Sequence, residues 1–165
     1  MPRLTTDQIQ NVGLWLQSGA IFLTFLGVII SAAVARGVAR RRATLDLIMA
    51  EQSTEILLTT RQKFLALRNQ EVLVKWADPA QAASDETRVL RSILNRYELV
   101  AIGIKEKTLD ARVYKEYART TVVKDWIACK PFVMQRRLST STPTLYVEYE
   151  NLAKAWAKPE EKPHC

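Results

Sequence analysis

Leu14–Ala35 reads LWLQSGAIFLTFLGVIISAAVA, and no charged residue occurs between Asp7 and Arg36. Crossing ~30 Å of hydrocarbon takes roughly 20 predominantly apolar residues in a helix, so the stretch is long enough. Gln17 is its only strongly polar side chain. Two other readings compete. Ala33-Val34-Ala35 fits the small-x-small pattern of a cleaved signal peptide. That reading needs a basic amino end and a short apolar core, whereas here Arg3 is offset by Asp7 and the run is too long. A buried core helix of this length presents a polar face, whereas Ile21–Ile30 is apolar on nearly all sides. The pattern therefore predicts an all-α protein, with a single N-terminal transmembrane helix followed by a small cytoplasmic helical bundle.

Orientation follows from what flanks the run. Arg36, Arg40, Arg41 and Arg42 come directly after it. An arginine at the bilayer centre costs about 2.5–3.5 kcal/mol, and basic flanks stay in the cytoplasm. The amino terminus is expected outside, with Trp15 near the outer interface. The four arginines are expected to contact the membrane surface, at about 1 kcal/mol each near anionic headgroups. Gly27, Ser31 and Ala35 share one helix face at four-residue spacing, which suits close packing of two spans.

Composition bounds the remainder. The chain has 165 residues and a formal net charge of +7. Once the four arginines and the Arg3/Asp7 pair are set aside, residues 43–165 carry 19 basic and 16 acidic side chains. That balance is ordinary for a soluble domain, so the basic pI is mainly a topology signal and nucleic acid is not an expected partner. The two cysteines, Cys129 and Cys165, have no metal or redox spacing.

Along the chain, residues 1–11 read as a short polar N-terminus, 12–35 as the span, 36–43 as a basic juxtamembrane segment, 44–158 as the helical domain and 159–165 as a flexible tail. Thr44–Trp76 lacks proline and carries the pairs Leu57/Leu58, Phe64/Leu65 and Val72/Leu73 seven residues apart, which predicts one amphipathic helix. Asp78-Pro79 ends it. Ser84 or Asp85 caps a second helix, about Glu86 to Lys107, whose inward face is Leu90, Ile93, Leu94, Tyr97, Ala101 and Ile104. Asp110 caps a third that carries Val113, Tyr114, Tyr117, Ala118, Thr121, Val122 and Trp126 inward, and Pro131 should kink or end it. Thr142-Pro143 reads as a helix start, with Leu145, Tyr149, Leu152 and Trp156 on the buried face.

No catalytic constellation emerges. The only histidine, His164, lies on the expected tail, and Cys129 has no histidine to activate it. No metal-ligand spacing and no cofactor signature is present, so the chain is not expected to be an enzyme. Glu98 stands out because it interrupts the apolar run Tyr97–Ile102, with Asn95 one turn earlier. A carboxylate in such a place needs a partner, and Arg136 and Arg137 are candidates. Asn95, Glu98, Arg136 and Arg137 are accordingly expected to form a structural polar cluster.

Asn95-x-Tyr97-Glu98, Ala101-Ile102-Gly103-Ile104, Arg136-Arg137 and Tyr149-Glu150-x-Leu152-Ala153-x-x-Trp156 together resemble the family catalogued as domain of unknown function 4760, over most of residues 40–157. The resemblance implies a small bacterial or phage protein with an amino-terminal span in the inner membrane and a helical cytoplasmic domain. It implies no activity. The expected function is a membrane-tethered helical interaction module, with the lipid bilayer and either a protein partner or a homo-oligomer as partners. The alternative is a phage- or stress-related membrane effector acting through the envelope.

Overall fold

The apolar run lies within helix α1 (Thr6–Ser53), which continues through the arginine cluster. The computed structural model describes residues 6–69 and 73–165, and every regular element among them is helical. Contacts divide the chain between Ala39 and Arg40, inside the expected basic segment. In the first unit the large apolar side chains from Ile21 to Val34 are exposed. The most apolar window of α1 has a mean hydropathy of 2.2 and is 0% buried. Among the described residues one helix, near the amino end, is therefore long and apolar enough to cross a membrane. Residues 6–11 of the expected polar N-terminus belong to this helix. Residues 1–5, including Arg3, lie outside the described residues.

The second unit, from Arg40 onward, adds α2 (Glu55–Arg68), α3 (Asp85–Lys105), α4 (Ala111–Thr140) and α5 (Val147–Trp156). Short 3₁₀ turns cover Leu73–Ala77, Pro79–Gln81 and Lys162–His164. The single helix expected over Thr44–Trp76 is interrupted at Thr54, whose backbone is extended (φ −86°, ψ 114°), and α2 ends at Arg68. Ser53 and β-branched Thr54 are weak helix formers, and Glu55 gains from sitting in the first turn of a new helix. Tertiary packing decides the outcome, because α2 then turns Phe64 and Leu67 into the core. Of the expected stripe, Phe64 and Leu73 are buried and Leu58 is partly exposed. Val72 lies outside the described residues.

Helix α3 follows its sequence pattern. Ser84 accepts the Thr87 amide at 3.2 Å and so caps the first turn. Leu90, Ile93, Leu94, Tyr97 and Ala101 are buried, and Ile104 is half-buried against them. The turn after α3 folds back closely on it. A Cβ at Gly103 would lie 2.8 Å from Leu109 Cδ1, so only glycine fits there without displacing Leu109. Asp110 then accepts the Arg112 and Val113 amides at 3.0 and 3.3 Å.

At Pro131, where a kink or an end was expected, the helix does not end, and the expected start of the last helix is overturned. Helix α4 runs through Pro131 to Thr140. A proline inside a helix costs about 3 kcal/mol. Here Pro131 is exposed, while Trp126, Cys129, Phe132 and Val133 on the opposite face are fully buried. Four such side chains, at about 1.5–3 kcal/mol for each large one, outweigh a single proline. Helix α5 does not start at Thr142-Pro143 but at Val147, after a left-handed Tyr146 (φ 58°). No local side chain caps it; the Glu98 carboxylate of α3 accepts the amides of Glu148 and Tyr149 at 3.2 and 2.7 Å. A distant acid thus does what a local Ser or Thr normally does, and it also meets the positive end of the helix dipole.

The core lies where α3, α4 and α5 meet. Tyr97 stacks on Tyr149 at 4.7 Å, and Trp126 stands edge-on to Tyr149 at 5.1 Å. The Tyr149 hydroxyl donates to the Val122 carbonyl at 2.9 Å. Tyr117, expected inward, is partly exposed and accepts a hydrogen bond from Gln52. Residues 159–165, expected as a flexible tail, fold onto α4. Arg119 donates to Glu161 at 2.7 Å and Trp126 Nε1 donates to the Cys165 carbonyl at 3.2 Å.

Both thiols are therefore buried, Cys129 at 0% and Cys165 at 4% exposure. Burial, then the Asp125 charge, pushes the Cys129 thiol well up, and burial also raises Cys165. Neither thiol should react with maleimide in the native protein, and both should react once it is unfolded. Mass spectrometry of labelled native and denatured samples checks this. Acid should loosen the α4–α5 junction. Burial opposes ionisation of Glu150, but Lys154 and Arg137 outweigh it and hold its carboxyl below the ordinary 4.5. A depressed folded-state pKa stabilises at higher pH and is lost as pH falls through it. Wild type should therefore lose more stability than Glu150→Gln as pH drops below 4.5, as read by denaturant titration across pH.

Candidate functional site

The helical pattern of α4 places Ala118, Val122, Asp125 and Cys129 on its inward face, and Asp125 is the one acid among them. Its side chain has no solvent exposure. An unpaired buried carboxylate is costly. Asp125 is paired three times: with Arg61, with Arg68 at 2.7 Å and with the Tyr97 hydroxyl, which donates at 2.8 Å. Burial, followed by the Asp125 charge, pushes the Tyr97 phenol well above its ordinary 10.0, so it remains a donor. Arg61 also lies over the Phe64 ring at 5.2 Å, a cation–π contact that holds the guanidinium in place.

In front of this network lies a cleft of about 280 Å³. Arg61 and Tyr97 line its inner side, Glu51 and Gln52 come from the end of α1, Arg96 from α3, and Tyr114 and Tyr117 from α4. Arg96 Nε donates to Glu51 at 2.8 Å, and the Tyr114 hydroxyl donates to the same carboxylate oxygen at 3.4 Å. Burial, then the Glu51 charge, pushes the Tyr114 phenol up as well. The walls thus carry fixed donors and acceptors in a pocket large enough for a small polar ligand. No group of acids, histidines and cysteines suited to a metal ion occurs among the described residues.

The residues singled out from sequence separate into different places. Glu98 pairs with the backbone of α5 rather than with Arg136 or Arg137. Arg137 instead donates to the Leu145 carbonyl at 2.9 Å and pairs with Glu150 at 2.7 Å. The four-residue cluster is therefore two arrangements: Glu98 and Arg137 each secure α5, while Asn95 and Arg136 line a second hollow. Among the juxtamembrane arginines, Arg41 lies 3.5 Å from Asp110 yet stays 65% exposed, Arg40 is half-buried, and Arg36 and Arg42 are exposed. Gly27, Ser31 and Ala35 are exposed on α1, with nothing within 4 Å of a Cβ at Gly27.

Asp125, Arg61, Arg68 and Glu51 were not foreseen. A signal existed for the first, because an aspartate at an inward position of an otherwise apolar face requires a cation. Arg61 and Arg68 are seven residues apart, on the face of α2 that also carries Phe64.

Asp125→Ala should cost about 3–5 kcal/mol, because it strands the buried Tyr97 hydroxyl and removes the shared partner of two guanidiniums. Arg68→Ala should cost less than half of that, since Arg61 remains. Chemical denaturation of the two variants tests the ranking.

Neither the curated proteins nor the solved structures contain a significant match to the chain. The sequence model of the family described as domain of unknown function (DUF4760) matches residues 17–156. The match runs from the apolar stretch of α1 to the last residue of α5, and the chain therefore belongs to the DUF4760 family.

Proposed function

We propose that the protein is a single-pass protein of the bacterial inner membrane, anchored by α1 with its amino terminus outside. Its helical domain then faces the cytoplasm and binds a protein partner or a second copy of the chain. The observation that carries the anchor is the exposure of the large apolar side chains from Ile21 to Val34, including Phe22, Leu23, Phe25, Val28 and Ile30. Apolar surface of that extent is unfavourable in water and is matched by hydrocarbon. The arginines after the run favour cytoplasmic retention of the domain. A binding role rather than catalysis is supported by how the reactive groups are held. Cys129 is buried with its thiol pushed up, Glu51 at the cleft is tied to Arg96, and the buried Asp125 is tied to Arg61 and Arg68.

The exposed Ser139 gives a clean reporter, because the native thiols are buried. Ser139→Cys in full-length protein should resist alkaline carbonate extraction from membranes. It should react with a membrane-impermeant maleimide only after the cells are permeabilised. Reaction on intact cells reverses the orientation, and carbonate extraction removes the anchor. Crosslinking in those membranes should recover a partner or a dimer, and recovery of monomer alone contradicts the interaction role.

A further inference from the structure

Most arginines around α3 and the end of α4 have an acid. Arg88 pairs with Asp85, Arg96 with Glu51 and Arg137 with Glu150. Arg91 and Arg136 have no ion-pair partner among the described residues. Both line the same hollow of about 230 Å³. Three elements build it. Helix α3 supplies Arg91 and Asn95, one turn apart; α4 supplies Arg136 and Thr140, one turn apart; and the connection to α5 supplies Thr142 and Tyr146.

The connection is held in an unusual shape. Ser141 (φ 52°) and Tyr146 (φ 58°) are both left-handed without being glycine. A bulky aromatic residue in that region is an outlier that surrounding structure must hold. Here it keeps Tyr146 7% exposed, with its ring near both guanidiniums. Glu98, whose charge acts on Tyr146, has its oxygens committed to the Glu148 and Tyr149 amides. Near the end of α4 the Leu138 and Arg137 carbonyls are likewise taken by the Ser141 and Thr142 amides, at 3.3 and 3.1 Å, and the Thr140 carbonyl by the Thr142 hydroxyl, at 3.1 Å. The lining therefore presents two cations and no carboxylate, together with an amide, hydroxyl groups and the apolar Phe132 and Leu145.

We propose that this hollow binds a phosphate group. Two guanidiniums match the oxygens of a tetrahedral oxyanion through charge-assisted hydrogen bonds. The Asn95 amide and Tyr146 hydroxyl add neutral donors. A second hollow of about 300 Å³ shares Arg91 and Asn95 and continues past Ser92 toward Arg88. The substituent on the phosphate extends there, over a polar surface, so the ligand is a phosphate monoester with a polar body or the headgroup of a phosphate-bearing lipid.

The test uses the full chain in zwitterionic nanodiscs and modification of its arginines by phenylglyoxal, resolved by mass spectrometry. Inorganic phosphate and glycerol 3-phosphate, compared with chloride at equal ionic strength, should protect Arg91 and Arg136 but not the exposed Arg112 at the far end of α4. Protection by glycerol 3-phosphate identifies a free monoester. Protection only when phosphatidic acid replaces part of the lipid identifies a headgroup. In calorimetric titration with glycerol 3-phosphate, or with phosphatidic acid nanodiscs where only the lipid protects, Arg91→Ala and Arg136→Ala should each weaken binding by about ten-fold or more. Arg112→Ala should leave it within about two-fold. Equal modification in phosphate, phosphatidic acid and chloride overturns the proposal, as does undiminished binding by the Arg91→Ala/Arg136→Ala double variant. The protection experiment is done on the wild-type protein and does not depend on the variants folding.

Discussion

One buried carboxylate sets the register of the helical domain. Asp125 has no solvent exposure and answers to Arg61, Arg68 and Tyr97, which come from α2 and α3. Arg61 and Arg68 are about 10 Å apart along the axis of α2. Their side chains converge on the two oxygens of a single residue of α4. A shift of α2 by one residue would turn both away from Asp125 and leave its charge buried. Apolar contacts between helices tolerate small displacements at modest cost, whereas a buried ion does not. The network also explains why the chain turns at Thr54. A helix continuing straight past Ser53 would carry Arg61 away from its partner.

The interior around this network is built mainly from aromatic rings with a polar edge. Tyr97, Tyr114 and Tyr149 are all buried, and each hydroxyl has a partner: Asp125, Glu51 and the Val122 carbonyl. Burial raises all three phenols, so they stay protonated and act as donors. Such rings contribute large apolar contact while their directional hydroxyls select one packing arrangement. The cleft lies on the side where this polar layer reaches the surface.

What was legible in the sequence was local. The apolar run, the Ser84 and Asp110 caps and the inward face of α3 each depend on residues within a few positions of one another. What was not legible depended on distant partners. Pro131 stays inside α4 because the face opposite it, with Cys129 and Phe132, is buried by other elements. The start of α5 could not be placed from Thr142-Pro143 because its capping group belongs to α3. The carboxylate of Glu98 was recognised as needing a partner, but backbone amides answer that need as well as a guanidinium does, and they carry no side-chain signature. Asp125 was legible only as an acid on an apolar face, since its cations are 57 and 64 residues earlier.

The long-range cap of α5 has a consequence for how the domain assembles. Ten residues are too few for an isolated helix to be stable in water, and the amides at the start of α5 are satisfied from 50 and 51 residues away. Helix α5 therefore has little reason to exist until α3 is formed and α4 has turned back alongside it. During synthesis α3 and α4 emerge first, so α5 closes the domain as a docking event rather than as a preformed rod. The junction it completes, with Arg137 on Glu150 and Glu98 on the helix start, is a latch whose two halves become adjacent only when the rest of the fold is in place.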